Sequence, residues 1–465
     1  MSAPEFVVVG RVNKGKSSIV ATLAEEESVP ISDEPGTTRE TRAYRVEVDG
    51  NVLFTLTDTP GFQDAPAALE QIRKQRHDAS VSADAVKSFV DTYKRSNDFQ
   101  EEVRLLAPIL DGGRVLYIVD GTVPYAPDYE AEMEILRWTG RPRMALVNRI
   151  GPGNHVDEWK KALGQYFGIV REFDANKAGF ADRIRLLESF RELDDDARAS
   201  LDKAIAVLNS EHQRRRREAS RIISGLLIGA LTQREEIKLE KHERAEDRLD
   251  EARGKLRGGL SELERKAHLQ IFSLYRFKRL QSSELQVAGI TEDLFAEKTW
   301  KVLGLTHGQL LAGGAVVGAG LGVAIDLAAA GHTLGLAALI GGAIGFGGAL
   351  VRSGKALGSE WRVVKQLIDG ERVVRYGPLG RDNLPWILLD RALIYFRAVS
   401  TRAHSVQGGL AVTENDSVVR DYPTGTRSSG SRLFGKIAKE SREIPDDLGS
   451  ELRGWVEERL EKLDG

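Results

Sequence analysis

Not one of the 465 residues is a cysteine, which removes disulfide frameworks, thiolate catalysis, Cys-ligated zinc and iron–sulfur clusters together. That absence fits an intracellular compartment. Charge of one sign is not in excess either: 66 Lys and Arg stand against 69 Asp and Glu, a net −3. The balance argues against a surface built throughout to hold nucleic acid, so no DNA partner is expected and only local basic patches remain. Residues 1–9 lack a basic stretch leading into a long apolar run, so no secretory signal is read there and the chain is expected to start in the cytoplasm. With 41% hydrophobic and 29% charged residues, the composition is neither that of a disordered chain nor of a wholly membrane-embedded one. At roughly 100–200 residues per domain, the length implies about two to four folding units.

What is present begins at once. Phe6, Val7, Val8 and Val9 form an apolar, β-branched run ending at Gly10, the pattern of a buried strand feeding a tight turn. The following Gly10-Arg11-Val12-Asn13-Lys14-Gly15-Lys16-Ser17 fits G-x-x-x-x-G-K-[ST], with a helix expected from Ser17. Phosphate binding needs these residue types in this order. Glycines let backbone N–H groups curl around the β-phosphate, a lysine reaches the β- and γ-phosphates, and a hydroxyl holds Mg²⁺. Gly15, Lys16 and Ser17 take those roles, within a candidate nucleotide-binding set of Gly10, Asn13, Lys14, Gly15, Lys16, Ser17 and Ser18.

Next come Pro35-Gly36-Thr37-Thr38-Arg39-Glu40 and an alternating run over 53–57 that leads into Asp58-Thr59-Pro60-Gly61. A hydroxyl and a carboxylate on two mobile loops that share one metal make a switch that loosens when the γ-phosphate leaves. Together with the phosphate loop, these segments resemble the translation-factor-related small GTPases of the Era and TrmE type. That family's pattern is GRPNxGKS, PGTTRD and DTPG, and this sequence departs from it at Val12 and Glu40. The resemblance covers residues 1–190. It implies a GTPase that binds GTP and GDP, with Ser17, Thr38 and Asp58 serving Mg²⁺ and Gly61 sensing the γ-phosphate. The catalytic set it implies is Asn13, Lys16, Thr38 and Gly61. Phe62 stands where Ras-like proteins have a water-orienting Gln, so hydrolysis must use something else. A K⁺ ion beside Asn13, as the resemblance also implies, would supply the charge that an arginine finger otherwise gives.

Residues 114–119 and 143–147 read as further buried strands, ending at Asp120-Gly121 and at Asn148. Strands alternating with helices indicate a doubly wound, mainly parallel α/β sheet of the P-loop NTPase class, with ligands at the carboxyl ends of the strands. Asn148-Arg149-Ile150-Gly151 occupies the place of the family's guanine-reading NKxD element. By that resemblance Asn148 braces the nucleotide loops and Arg149 lies along the base, but Gly151 has no carboxylate for the guanine N–H donors. Asp157 is left as an alternative acceptor. Asp174 and Ala175, in Phe173-Asp174-Ala175-Asn176, resemble the loop that contacts the base after the last strand. The charged stretch 63–108, with helical spacing of Leu69, Ile72, Val86, Phe89, Val90 and Tyr93, reads as extra helices on the second switch; His77 within it reads as a solvated surface residue.

Residues 191–302 read as long helices with a short coiled coil, 235–266 being one exposed helix or a helical hairpin. The run Arg214 to Arg217 suits either anionic lipid or RNA, or a solvated helix face. Residues 303–351 contain no Lys, Arg or Glu and one Asp, Asp326. Small residues recur at Gly314, Gly318 and Gly322 and again at Ala337, Gly341, Gly345 and Ala349. Lys298, Lys301, Arg352 and Lys355 flank the segment, so a glycine-rich hairpin over 303–352 with both ends on the cytoplasmic side is expected. A pair of Gly/Ala-rich helices buried in a soluble helical domain is the other reading. Residues 353–465 read as a helical region, with helices over 359–368, 384–399 and 445–463 and a flexible loop over 405–431. Trp361, Trp386, Tyr395 and Phe396 read as core aromatics rather than an interfacial belt.

The expected architecture is thus an α/β P-loop NTPase domain followed by a mostly α-helical region. As a whole the chain resembles bacterial proteins in which an Era/TrmE-like GTPase domain is fused to a helical C-terminal domain of the DUF3482 type. The functional expectation is a GTP-hydrolysing switch at the cytoplasmic face of a membrane, with lipid contact and self-association through the helical part. The alternative is a GTPase of ribosome assembly or tRNA modification. Against it stand the lack of a basic module with interleaved aromatics or a GXXG clamp, and of a C-terminal cysteine, so an RNA partner is disfavoured. A third option is a scaffold that binds nucleotide but scarcely hydrolyses it.

Overall fold

In the computed structural model, the described residues are 3–26, 29, 41–75, 82–275, 294–295, 299, 303–306, 309, 364–368, 371–378, 383–403, 417–440 and 443–464. They divide into two compact units, the first comprising residues up to Arg214 together with 401–403, the second the other described residues from Arg215 onward.

The first unit is built on a six-stranded sheet. Its strands are β1 (Glu5–Val9), β2 (Arg42–Val48), β3 (Asn51–Asp58), β4 (Arg114–Asp120), β5 (Arg143–Asn148) and β6 (Ile169–Phe173), in the order β2-β3-β1-β4-β5-β6. All neighbours run parallel except β2, which pairs antiparallel with β3 as a hairpin. Strands β1, β4 and β5 are near-continuous apolar runs because both of their faces are covered, whereas the edge strands β2 and β6 are more exposed. Val7 and Val9 of β1, with Tyr117 and Val119 of β4, face one core; Phe6 and Val8, with Leu116 and Ile118, face the other. At roughly 1.5–3 kcal/mol per fully buried large side chain, this two-sided burial is the main force holding the sheet.

Helices α1 (Lys16–Ala24), α6 (Val156–Leu163) and α7 (Phe180–Leu193) alternate with strands, as does α5 (Glu130–Trp138). Three more helices fill the span between β3 and β4: α2 (Ala65–Lys74), α3 (Ser82–Tyr93) and α4 (Gln100–Leu110). They bury Leu69, Ile72, Val86, Phe89, Leu105 and Leu106 against the face that carries Val7 and Val9. Helix α8 (Arg198–Thr232) starts in this unit, and its Leu201, Ala204 and Ile205 join the core of Phe6 and Phe190. The first unit therefore extends beyond the expected limit at residue 190.

The second unit contains a three-stranded antiparallel sheet, β7 (Glu235–Lys238), β9 (Glu371–Tyr376) and β8 (Val364–Ile368), in the order β7-β9-β8. Two helix expectations are corrected here. Residues 235–266 are not one helix: β7 comes first, a 3-10 turn follows at Ala245–Arg248, and α9 runs Leu249–Ser273. Residues 364–368, read as helix, form β8. In β7 only Ile237 is buried, and its partner in the ladder is Val374 of β9, so pairing across the chain overrides the local helix preference of Glu and Lys.

Helix α9 buries Ala252, Leu256, Leu260, Glu264, Ala267 and Ile271, one stripe at helical spacing. It packs on α10 (Leu384–Ser400), which is buried on nearly every side and also meets α12 (Asp446–Asp464). A further correction concerns 405–431. Helix α11 (Thr424–Ile437) occupies the end of that polar stretch, and 405–416 lie outside the described residues. Its serines and glycines permit close approach: a Cβ on Gly430 would stand 2.6 Å from the Trp386 ring. Trp386, Phe434 and Trp455 meet edge to face around it, and Tyr395 and Phe396 are buried, as core aromatics should be. Of the arginine run, Arg215 is buried, Arg216 is half-buried, and Arg214 and Arg217 are exposed. Arg214 pairs with Glu211, Arg215 is buried 5.6 Å from the Tyr275 ring, and Arg216 pairs with Glu461.

Among the described residues, no helix is long and apolar enough to cross a membrane. The glycine-rich segment expected as a hairpin lies outside the described residues, apart from 303–306 and 309, and so does Trp361.

Candidate functional site

The strand ends of the first unit converge on one edge. Register pairs Val8 with Asp58, Asp120 with Asn148, and Asn148 with Phe173, so the ends of five parallel strands carry the motif residues side by side. Two glycines make the phosphate loop fit. Gly10 has φ 147° and Gly15 φ 81°; a Cβ on Gly10 would stand 2.3 Å from the Ile118 carbonyl oxygen, and one on Gly15 2.2 Å from Nδ2 of Asn148. Asn13, at φ 61°, is left-handed as well and exposed.

Lys16 opens α1 at 6% exposure, and its Nζ donates to the Arg11 carbonyl at 2.9 Å across the loop. Burial pulls its pKa below the usual lysine range, with the carboxylates of Asp58 and Glu132 opposing. The Ser17 hydroxyl donates to Oδ2 of Asp58 at 3.0 Å. A hydroxyl and a buried carboxylate meeting beneath a phosphate loop form an oxygen donor set that suits Mg²⁺. Gly61 packs directly on the loop, where a Cβ would stand 2.9 Å from the Gly10 oxygen and 3.0 Å from the Val12 nitrogen. Thr59 Oγ1, just before it, donates to the Val8 carbonyl at 2.7 Å.

Asn148 laces three segments together. Its Nδ2 donates to the Lys14 carbonyl at 3.2 Å, and its Oδ1 accepts the Ala175 N–H at 3.3 Å. The Ala175 carbonyl in turn accepts Thr22 Oγ1 at 2.8 Å, tying this loop to α1. Ser18 is half-buried in the first turn of α1. Asp174 accepts the Asn176 N–H at 3.1 Å and shapes the turn. The Arg149 side chain is exposed and donates to Oδ1 of Asn154 at 3.3 Å. The edge thus gathers Gly10, Asn13, Lys14, Gly15, Lys16, Ser17, Ser18, Asp58, Gly61, Asn148 and Ala175, with Arg149 and Asp174 at its rim. Thr38 lies outside the described residues. Asp157 sits in the first turn of α6, and the nearest neighbour of a Cβ on Gly151 would be the Thr122 side chain, 3.7 Å away.

Sequence reasoning missed several supports. Arg11, inside the phosphate loop, is held by Glu132 at 2.5 Å and Asp128 at 2.6 Å, with the Tyr129 ring 3.6 Å from its guanidinium. Burial opposes its charge, but the bonds from the two carboxylates outweigh that and raise its pKa. Glu132 also accepts the Tyr117 hydroxyl at 2.8 Å; burial raises its carboxyl, with Arg11 opposing. Asp120 accepts the backbone and hydroxyl of Thr122 and lies 3.5 Å from Lys14 Nζ. Its position at a strand end beside Gly121 was the available signal. Nothing local marks Glu132, 121 residues from Arg11.

Residues 5–120 match the family model described as 50S ribosome-binding GTPase, and residues 160–458 match that of a domain of unknown function, DUF3482. The chain is 30% identical over 207 residues to the tRNA modification GTPase MnmE of Geobacillus kaustophilus and 31% identical over 205 residues to that of Geobacillus thermodenitrificans. Each match covers 43% of this chain and 43% of the relative. Among solved structures, a variant of Aquifex aeolicus Era bound to GDP and AlF4⁻ is 16% identical, covering 57% of this chain and 90% of that one, with a TM-score of 0.27. An S. thermophilus NFeoB mutant bound to GMPPNP is 18% identical over 37% of this chain and 55% of its own, with a TM-score of 0.24. The chain belongs to the DUF3482 family, and its N-terminal domain is a P-loop GTPase.

Proposed function

We propose that the protein is a GTP-binding, GTP-hydrolysing switch whose nucleotide state is passed to the helical second unit. The observation that carries this reading is the 3.0 Å pair of Ser17 and Asp58, set beside Lys16 and beneath the Gly10–Gly15 loop. In the proposed mechanism Lys16 reaches the β- and γ-phosphates, and backbone N–H groups around Gly15 cradle the β-phosphate. Ser17 and Asp58 hold Mg²⁺, joined in the triphosphate state by Thr38, whose role rests on its motif alone. The metal, when bound, offsets the charge that gathers on the phosphate oxygens. Gly61 presents its N–H to the γ-phosphate. Asn148 keeps Lys14 and Ala175 in register around the base.

Phe62 turns its ring into the core at 6% exposure, so it offers nothing to an attacking water. That supports a charge of another origin near Asn13, and K⁺ in that place belongs to the proposal. Gly151 leaves the guanine N1–H and 2-amino groups without the carboxylate expected there, so base selectivity rests on Asn148, Arg149 and the backbone near Ala175. Attachment to a membrane is proposed from the composition of 303–351 and its basic flanks. The domain limits 1–190, 191–302, 303–352 and 353–465 are retained as a working division, with the first extended to residue 214 on the strength of the core that α8 joins.

The test is competition of GTP, GDP and ATP for bound fluorescent GDP, with and without Mg²⁺, followed by turnover in K⁺ and Na⁺ buffers. GTP displacing the probe far better than ATP, and Mg²⁺-dependent turnover, are the expected results. ATP preference would overturn the assignment of substrate, and equal rates in K⁺ and Na⁺ would remove the K⁺ part. Liposome flotation of full-length protein and of a variant lacking 303–351 tests the membrane part; equal flotation of the two would contradict it.

A further inference from the structure

The chain that follows the Asp58–Gly61 motif is held by one carboxylate reaching in from the inserted helices. Glu102 sits in the first turn of α4 at 1% exposure. Its Oε1 accepts two backbone N–H groups at once, from Gln63 at 2.8 Å and Asp64 at 2.9 Å. An acid so near a helix start would ordinarily serve its own helix's unpaired N–H groups. Glu102 instead reaches 39 and 38 residues back along the chain. The same helix turn also meets Thr41, which follows the Pro35 to Glu40 motif in sequence: Thr41 Oγ1 donates to the Arg104 carbonyl at 3.3 Å. Between the clamp and the phosphate loop lie only Gly61, packed on Gly10 and Val12, and Phe62, anchored in the core.

A buried carboxyl group is expensive unless its bonds are good, and here two backbone N–H donors converge on one of its oxygens. The backbone from Gly61 to Asp64 is thereby fixed at both ends, by packing on the loop and by Glu102. Hydrolysis depends on donors that are already in place when charge develops on the γ-phosphate. GDP offers no γ-phosphate, so its binding does not draw on Gly61.

We propose that Glu102 is a positioning residue for GTP hydrolysis, clamping the Gln63 and Asp64 backbone so that the Gly61 N–H stands ready for the γ-phosphate. This rests on the reading of the first unit as a GTP-hydrolysing site. Loss of the clamp lowers kcat without lowering GDP affinity, and a side chain that keeps one acceptor oxygen restores part of the rate.

The experiment is single-turnover hydrolysis and GDP affinity for full-length wild type, Glu102→Ala and Glu102→Gln, with thermal unfolding followed in parallel. For Glu102→Ala the expected result is a fall in kcat of about tenfold or more, the scale of leaving two buried donors unpaired, with GDP affinity within about twofold. Glu102→Gln should fall between it and wild type. Wild-type kcat in Glu102→Ala, or rate and GDP affinity falling together, would overturn the proposal. Should Glu102→Ala fail to fold, Glu102→Met, of similar length but without a carboxylate, takes its place: a kcat about tenfold or more below wild type at unchanged GDP affinity supports the clamp, and wild-type kcat overturns it. If wild type itself releases no phosphate, the hydrolase reading fails first, and that result is distinct from equal rates in all three proteins.

Discussion

The two units bury charge in opposite ways. In the first, Asp58, Asp120 and the polar Asn148 are buried at the ends of parallel strands, beside Lys16 at the start of α1, and they cluster on one edge. In the second, Glu264 and Arg391 pair at 2.5 Å between α9 and α10, with side chains 6% and 3% exposed. Beside them Asp390 accepts the N–H groups of Gly304, Val418 and Val419 and the Ser417 hydroxyl. His268 stacks on Tyr395 at 4.2 Å. One set stands at the strand ends where such sheets bind ligands; the other closes on itself inside a helical core. The first kind of buried charge stands where topology supplies an edge for a ligand.

The largest expected effect sharpens that contrast. Glu264→Ala removes the carboxylate paired with the buried Arg391 guanidinium and should cost about 3–5 kcal/mol of unfolding free energy in the second unit. Nucleotide affinity should be untouched, and denaturant unfolding beside GDP titration checks both. Lys16→Ala is its mirror image. It should lower GTP turnover by on the order of 10²–10³, as removing a donor to developing charge does, with the melting temperature hardly moved. Asn148→Ala removes both the Lys14 and Ala175 bonds and should weaken GDP binding by about tenfold, readable by fluorescent-nucleotide dissociation.

How far such residues could be read in advance follows from the same contrast. The phosphate loop, Asp58 and Asn148 were legible because each is a short motif closing a β-branched run, so periodicity and chemistry point to one place. The mainly parallel, doubly wound sheet followed from the βαβ rhythm. Arg11's partners and the Glu102 clamp were not legible, because their bonds join residues 121 and 39 positions apart with nothing local to mark them. Strands β7 and β8 were read as helix because their alternation is short and each depends on β9 to form. The polar 424–431 stretch became helix because its small residues fit under Trp386 and Trp455, a fit that composition does not announce.

Two smaller effects refine the comparison. At Gly151 an added Cβ would make only ordinary contact with Thr122, so a side chain can start there without a clash at its first atom. Wild type should bind GTP and ITP within about threefold of each other, and Gly151→Asp should raise the preference for GTP to about tenfold by accepting the 2-amino donor. Equal preference before and after would place base reading elsewhere. In the second unit, burial pushes His268 down to about 3 from an ordinary 6.5, with the Arg391 charge adding to the shift. The folded state then stays neutral while the unfolded chain takes up a proton, so this contribution is full above about pH 6.5 and is lost as pH falls toward 3. The slope is about 1.4 kcal/mol per pH unit below about 6. Glu264 faces the same pair and titrates with the opposite sign, its carboxyl being raised by burial against Arg391. The informative quantity is therefore the difference between wild type and His268→Gln, whose stability should fall less steeply between pH 6.5 and 5.

The account's central claim is that the Ser17 and Asp58 pair, beside Lys16, is the metal and phosphate site of a GTP hydrolase. Single-turnover phosphate release from GTP, with Mg²⁺ present, for wild type and Asp58→Asn tests it most directly. The account expects release by wild type and a loss on the order of 10² in the variant. Equal release by both proteins, or none from wild type, would contradict it.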